Sequence, residues 1–178
     1  MTGIIGKDLQ VKSGKFGFPS DHVIQRKKIF NVNNQHSHIE TSSTDFVSTG
    51  VYGDFTPRHS NAVTYLKLEW FVGRFEHYGK ALSNTVTMTT VAGDTTTYST
   101  SNDIFDTSSA YRWYGYDTSS TGHHAYFEAY IAGWSGGVKA WSAGTAYRFR
   151  IYHKSSSGNA ISVHVGCQAQ LHALEIMI

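Results

Sequence analysis

The 178-residue sequence has a single cysteine, two prolines and charged groups at only 16% of positions. One thiol, Cys167, excludes an intramolecular disulfide framework, so packing or assembly must stabilise the fold. No apolar run approaches the roughly 20 residues that a membrane-spanning helix needs, and no membrane partner is expected. The stretch Met1-Thr-Gly-Ile-Ile-Gly-Lys7 lacks the apolar segment and cleavage site of a secretory signal. Synthesis in a cytoplasm, without export by the usual route, is therefore the expectation. The net charge of +2 is too small to imply a nucleic-acid partner.

What the chain does have is apolar and aromatic content, 40% and 14% of its residues. Aromatic and β-branched side chains suit pleated, half-buried surfaces, and 17 glycines suit tight turns between short strands. The length is enough for one well-buried core and small for two domains.

Period-2 alternation runs through most of the sequence. In 63–73, Leu66, Leu68, Trp70 and Val72 share a face opposite Lys67 and Glu69. In 147–153, Tyr147, Phe149 and Ile151 oppose Arg148 and Arg150. In 160–171 the alternation predicts one long strand, with Ile161, Val163, Val165, Cys167, Ala169 and Leu171 on one side. A 3.6-residue period would scatter these stripes around a helix axis. Segment 125–132 is apolar on both faces apart from Glu128, and further strands are expected over 22–32, 46–55, 84–91, 111–116 and 172–177. Turn-rich stretches separate them, including Gly93-Asp94 and 117–122, with His123-His124 read as loop residues. Eight or more strands at this spacing predict an all-β fold, an antiparallel jelly-roll-like sandwich over 23–178 behind an extended N-terminal arm over 1–22. A second apolar face on a sandwich strand needs a further cover, which self-association would supply. Tyr126, Phe127, Tyr130, Ile131 and Trp134 are expected to form a strand buried on both sides, part core and part subunit contact.

Charge is unevenly placed. Residues 1–28 carry six basic side chains (Lys7, Lys12, Lys15, Arg26, Lys27 and Lys28) against Asp8 and Asp21, whereas the rest carries nine basic and eleven acidic groups. The six cations are candidates for docking an acidic protein partner.

Catalytic chemistry finds little support. Gly133-Trp-Ser-Gly-Gly137 matches a nucleophile-elbow pattern, but Val138-Lys-Ala-Trp-Ser142 after it has no helical character, so a glycine-rich hairpin is expected. There is no phosphate loop and no zinc-finger spacing, and no paired carboxylates are brought together by periodicity. No cofactor and no metal are expected. His36 and His38 would be the residues placed for a metal, because i and i+2 on a strand point together. Arg112, Trp113, Tyr114 and Tyr116 form a candidate sugar-stacking group, with core or interface aromatics as the alternative.

Three pieces carry a resemblance. They are Gly6-Lys-Asp-Leu-Gln-Val-Lys12; then Thr41-Ser-Ser-Thr-Asp-Phe-Val-Ser-Thr-Gly50 with Phe55-Thr-Pro-Arg-His-Ser60; then Thr145-Ala-Tyr-Arg-Phe-Arg-Ile151 with Leu171-His-Ala-Leu-Glu-Ile176. In this order they resemble the lead-in, the Phe-Val-x-Thr-Gly turn and Thr-Pro corner, and the last strands of small bacteriophage fibre and capsid-decoration proteins. Residues 13–36 interrupt the family pattern, and Asn61-Ala-Val-Thr-Tyr-Leu66 replaces its usual opening of the long strand. The resemblance implies a non-enzymatic homotrimer on a virion surface. It would be a decoration or cement protein held through its arm to the major capsid protein or a tail protein. A short tail fibre or spike that binds a receptor glycan is the alternative.

Overall fold

The computed structural model describes residues 22–33, 39–72, 80–104, 113–117, 123–132, 140–155, 160–163 and 168–177. They form ten antiparallel strands: β1 (Val23–Asn33), β2 (Ile39–Thr41), β3 (Val47–Phe55), β4 (Ala62–Val72), β5 (Lys80–Thr90), β6 (Trp113–Asp117), β7 (His123–Ala132), β8 (Tyr147–Ser155), β9 (Ala160–Val163) and β10 (Gln168–Met177). The helical content among the described residues is two 3-10 turns, Val91–Gly93 and Thr100–Asn102.

The pairing is nested. β1 pairs with β10, β2 with β9, β3 with β8, β4 with β7, and β5 with β6. The chain is thus one long hairpin, and further pairings of β10 with β4 and of β5 with β8 roll it into sheets ordered β1-β10-β4-β7 and β3-β8-β5-β6. The protein is a jelly roll, with β2 and β9 as a separate two-stranded piece.

Alternation builds the core as expected. Leu66 and Leu68 of β4, Leu171 and Ala173 of β10, Val86 of β5 and Phe149 and Ile151 of β8 meet between the sheets, with Phe55 and Ile104. Burying each large side chain contributes roughly 1.5–3 kcal/mol before chain entropy is counted. Lys67 and Glu69 lie on the opposite, partly exposed face of β4. Gly53 sits where β1 crosses close to β3, and a Cβ there would run into the Ile29 carbonyl. Gly50, at φ +78, lies in a bulge where the stretch from Ser48 to Tyr52 faces only Tyr152 to Arg150. The Phe-Val-x-Thr-Gly piece is therefore a bulge inside β3 rather than a turn between strands. Its Thr49 Oγ1 donates to the Ile151 carbonyl at 3.0 Å and accepts from the Val51 amide at 3.1 Å.

Two expectations need correction. Segment 160–171 is not one strand, because β9 joins β2 while β10 inserts between β1 and β4. Side-chain alternation reports a pleat and cannot report a change of partner. His123 and His124 are also not loop residues. They open β7, paired with Val72 and Phe71.

The roll is fastened by Glu175, which has no solvent exposure. Its Oε1 accepts from the backbone amides of Arg58 and His59 at 2.8 and 2.9 Å, and its Oε2 from Gln25 Nε2 at 2.6 Å. The same Gln25 nitrogen donates to the Thr56 carbonyl at 2.8 Å. Replacing Glu175 with Gln turns one acceptor oxygen into a donor that faces N–H groups. Unpaired buried donors and lost charge-assisted bonds should cost about 3 kcal/mol. A urea midpoint for Glu175→Gln equal to that of the parent would refute this role.

Candidate functional site

On the outer face of β3-β8-β5-β6, two arginines on β8 meet two carboxylates from distant segments. Arg148 grips Asp54 through two parallel bonds, Nε to Oδ1 at 2.7 Å and Nη2 to Oδ2 at 2.9 Å. Asp94 Oδ2 accepts from Arg148 Nη1 at 3.0 Å and from Arg150 Nη2 at 2.6 Å. The Tyr52 ring lies 4.4 and 4.8 Å from the two guanidinium carbons, close enough for cation–π attraction. The Arg148 hydrogen bond holds the Asp54 carboxyl below its ordinary range. For Asp94, burial pushes the other way, but bonds from Arg150 and Arg148 prevail and lower it.

Asp94 belongs to residues 91–104, which lie across this sheet. Tyr152 donates to the Thr95 carbonyl at 3.0 Å and meets the Tyr98 ring edge-on at 5.4 Å. Asp103 accepts from Thr85 Oγ1 at 2.6 Å and Tyr98 OH at 2.7 Å. Arg150 and Tyr152 are consequently 5% and 1% exposed although they face away from the core. Self-association was the expected cover for a second buried face; on β8 and β5 the chain's own strap supplies it. The paired carboxylates that periodicity did not bring together, Asp54 and Asp94, come together here through tertiary structure. Both are occupied by guanidinium groups, which makes the cluster a fastening rather than an acid–base pair.

The outer face of the other sheet is different. Arg26, Lys27 and Lys28 are exposed on β1, the end strand. Lys27 reaches the Asp54 carbonyl at 2.8 Å. Arg26 and Lys28 have no carboxylate within ion-pair distance among the described residues. Register places Arg26 beside Leu174 and Tyr65, and Lys28 beside His172, Lys67 and the position of Glu128. Arg26, Leu174, Tyr65, His172 and Lys67 border a shallow depression of about 460 Å³. In it Gln170 Nε2 donates to Glu69 Oε2 at 2.6 Å, and Lys67 lies 3.4 Å from Glu69 Oε1. Burial, then the nearby Lys28 and Arg26, lowers the His172 pKa, which favours the neutral ring.

Of the sequence candidates, Lys7, Lys12, Lys15, Arg112, His36, His38 and the segment 133–137 lie outside the described residues. Trp113, Tyr114 and Tyr116 fall on β6, the end strand of the opposite sheet. The described residues contain no group of three His, Cys, Asp or Glu side chains able to hold a metal, and no helix long and apolar enough to cross a membrane.

No protein-family model matches the chain, and neither does any curated protein. Solved structures similar to it include T=1 particles derived from infectious bursal virus, at 11% identity and a TM-score of 0.42, over 92% of this chain and 38% of that one. The infectious bursal disease virus Gt strain gives 14% and 0.39, over 92% and 40%. The Gx strain gives 13% and 0.37 over the same shares. This chain thus spans about two fifths of the chains it matches. At these identities and TM-scores the likeness carries neither family nor function, and the strand order alone defines the fold.

Asp94→Ala should destabilise the protein by about 2 kcal/mol. That is less than the full cost of orphaning a buried charge, because Arg148 keeps Asp54 and both arginines keep Tyr52. Thermal unfolding that leaves this variant within the scatter of surface substitutions would show that the strap is not held by charge.

Acid should act first through a histidine. Burial on the inner face of β8 lowers the His153 pKa from 6.5 to about 4. The unfolded chain binds a proton that the folded chain refuses, so the contribution of His153 is complete above its unfolded pKa and shrinks as pH falls towards the folded one. A loss of about 3 kcal/mol is expected between about pH 7.5 and about pH 4, read from urea unfolding. His153→Gln should flatten that slope, and an unchanged slope would assign it elsewhere.

Proposed function

We propose that this chain is a non-enzymatic structural protein of a virus particle, a homotrimeric decoration or cement protein held on a phage head by its N-terminal arm. The observation that carries the reading is where the resemblance motifs sit. Glu175 of the terminal Leu171–Ile176 piece takes the amides of Arg58 and His59 in the Thr-Pro corner. Thr49 of the Phe-Val-x-Thr-Gly piece caps a carbonyl of the Thr145–Ile151 piece. Motifs far apart in sequence thus meet as fastenings of one roll. That supports common descent with small phage jelly-roll proteins better than chance similarity of Ser/Thr-rich segments does. The jelly roll by itself hosts lectins and enzymes as well as capsid domains, so it does not select among them.

A trimer related by a closed threefold axis would use β7, the end strand of its sheet, as a contact. The arm, carrying Lys7, Lys12 and Lys15, would order on an acidic capsid surface. Arg26, Lys27 and Lys28 on β1 would continue the same cationic track.

Deleting residues 1–20 should leave a folded trimer by sedimentation equilibrium that no longer decorates particles in a co-sedimentation assay. Monomers from the truncated chain would make the arm an assembly element. A parent protein that is itself monomeric at micromolar concentration would end the trimer proposal.

A further inference from the structure

We infer that the outer edge of β3 is closed to strand addition by the chain's own groups, and that the bulge between Ser48 and Tyr52 keeps a second copy from pairing there. β3 ends its sheet, and an end strand offers N–H and C=O groups that a strand of another molecule can take. In the C-terminal half of β3 these groups are taken from within. Lys27 Nζ donates to the Asp54 carbonyl, and Gln25 Nε2 to the Thr56 carbonyl just beyond the strand, each at 2.8 Å. Gly53 lies so close to the Ile29 carbonyl that a Cβ would collide with it. β1 thereby covers this half of β3, although the two strands belong to different sheets.

The N-terminal half is closed by irregularity. Ser48 pairs with Tyr152 and Tyr52 with Arg150, so Thr49, Gly50 and Val51 together face Ile151, where a regular ladder has one residue. The amide of Gly50 donates to Ser48 Oγ and that of Val51 to Thr49 Oγ1, each at 3.1 Å. Thr49 Oγ1 in turn supplies the Ile151 carbonyl with the donor that a regular strand would give from its backbone. An incoming strand would have to break these bonds and would meet an edge out of step with its own repeat. The protection has a purpose, because Val47 and Tyr52 stand 37% and 49% exposed on this strand, and apolar side chains on a flat edge invite pairing. At the opposite flank β6 and β7 end the two sheets, so a strand-to-strand contact between copies is directed there. None of this depends on the chain being a virion protein.

The test removes Thr49 and Gly50 from the full-length protein. The deletion sets Val51, which packs against the core, opposite Ile151. Ser48, Tyr52 and Asp54 stay on the outer face beside Arg148 and Arg150, so the alternation survives. The variant should keep the far-UV circular dichroism of the parent yet grow into larger species with rising concentration in sedimentation velocity, which the parent should not do. Hydrogen exchange over residues 47–56 should slow as it associates. Adding Val47→Lys, a cation on the reopened edge, should reverse the association. The proposal is overturned if the folded deletion variant sediments like the parent, or if Val47→Lys leaves its association unchanged. A second measurement decides even if the deletion variant does not fold. In the parent, the amides of Gly50 and Val51 should exchange on the order of tenfold more slowly than in an unstructured peptide. Ser48→Ala should release the first and Thr49→Val the second. Unprotected exchange of both amides in the parent would show that the hydroxyls do not close the edge, which equally overturns the proposal.

Discussion

Glu175 holds a full negative charge away from water, and the closure of the roll depends on how that charge is satisfied. A carboxylate in this position costs several kcal/mol to desolvate unless donors surround it. Here the donors come from β1, through Gln25, and from the Arg58–His59 corner that links β3 to β4. These segments lie more than a hundred residues from Glu175 along the chain. In a nested hairpin the first and last strands have the greatest loop entropy to overcome, so their pairing is the least assured by local contacts. A charge satisfied only when β1, β10 and the corner are all in place makes that last step specific. A slipped register would leave the carboxylate facing apolar groups, a penalty that an all-apolar core does not impose.

The two sheets protect their outer faces by different means. The β3-β8-β5-β6 sheet folds residues 91–104 over itself and closes the charges internally, two arginines on two aspartates. The β1-β10-β4-β7 sheet leaves cations open at β1. Neutral, satisfied surfaces have little to gain from a ligand, whereas unpaired cations beside a depression do. The asymmetry separates a face whose arginines are paired within this chain from one whose cations stay exposed at the end strand.

Much of the fold was legible in the sequence because a strand with one buried face writes its burial directly as alternation. Leu66 and Leu68 against Lys67 and Glu69, and Phe149 and Ile151 against Arg148 and Arg150, read correctly. The signal failed where its physical basis ends. Alternation passes unbroken from β9 to β10 although the two strands have different neighbours, since pleating is the same in either sheet. Asp94 looked like part of a Gly-Asp turn, and nothing local marks it as the acceptor for two arginines more than fifty residues later. Glu175 was visible only as a motif letter. Its burial exists only in the company of Gln25 and the corner amides.

The same limit governs the candidate site. Arg26 and Lys28 were singled out by their position in a basic stretch, but that stretch suggested an arm meeting an acidic protein. Folded, they stand on a strand beside Tyr65, Glu69, Gln170 and His172, which come from β4 and β10. A linear charge count cannot see that a carboxylate and an amide sit next to those cations. Net charge sets the strength of long-range attraction, while the groups interleaved with the charges determine what can be held.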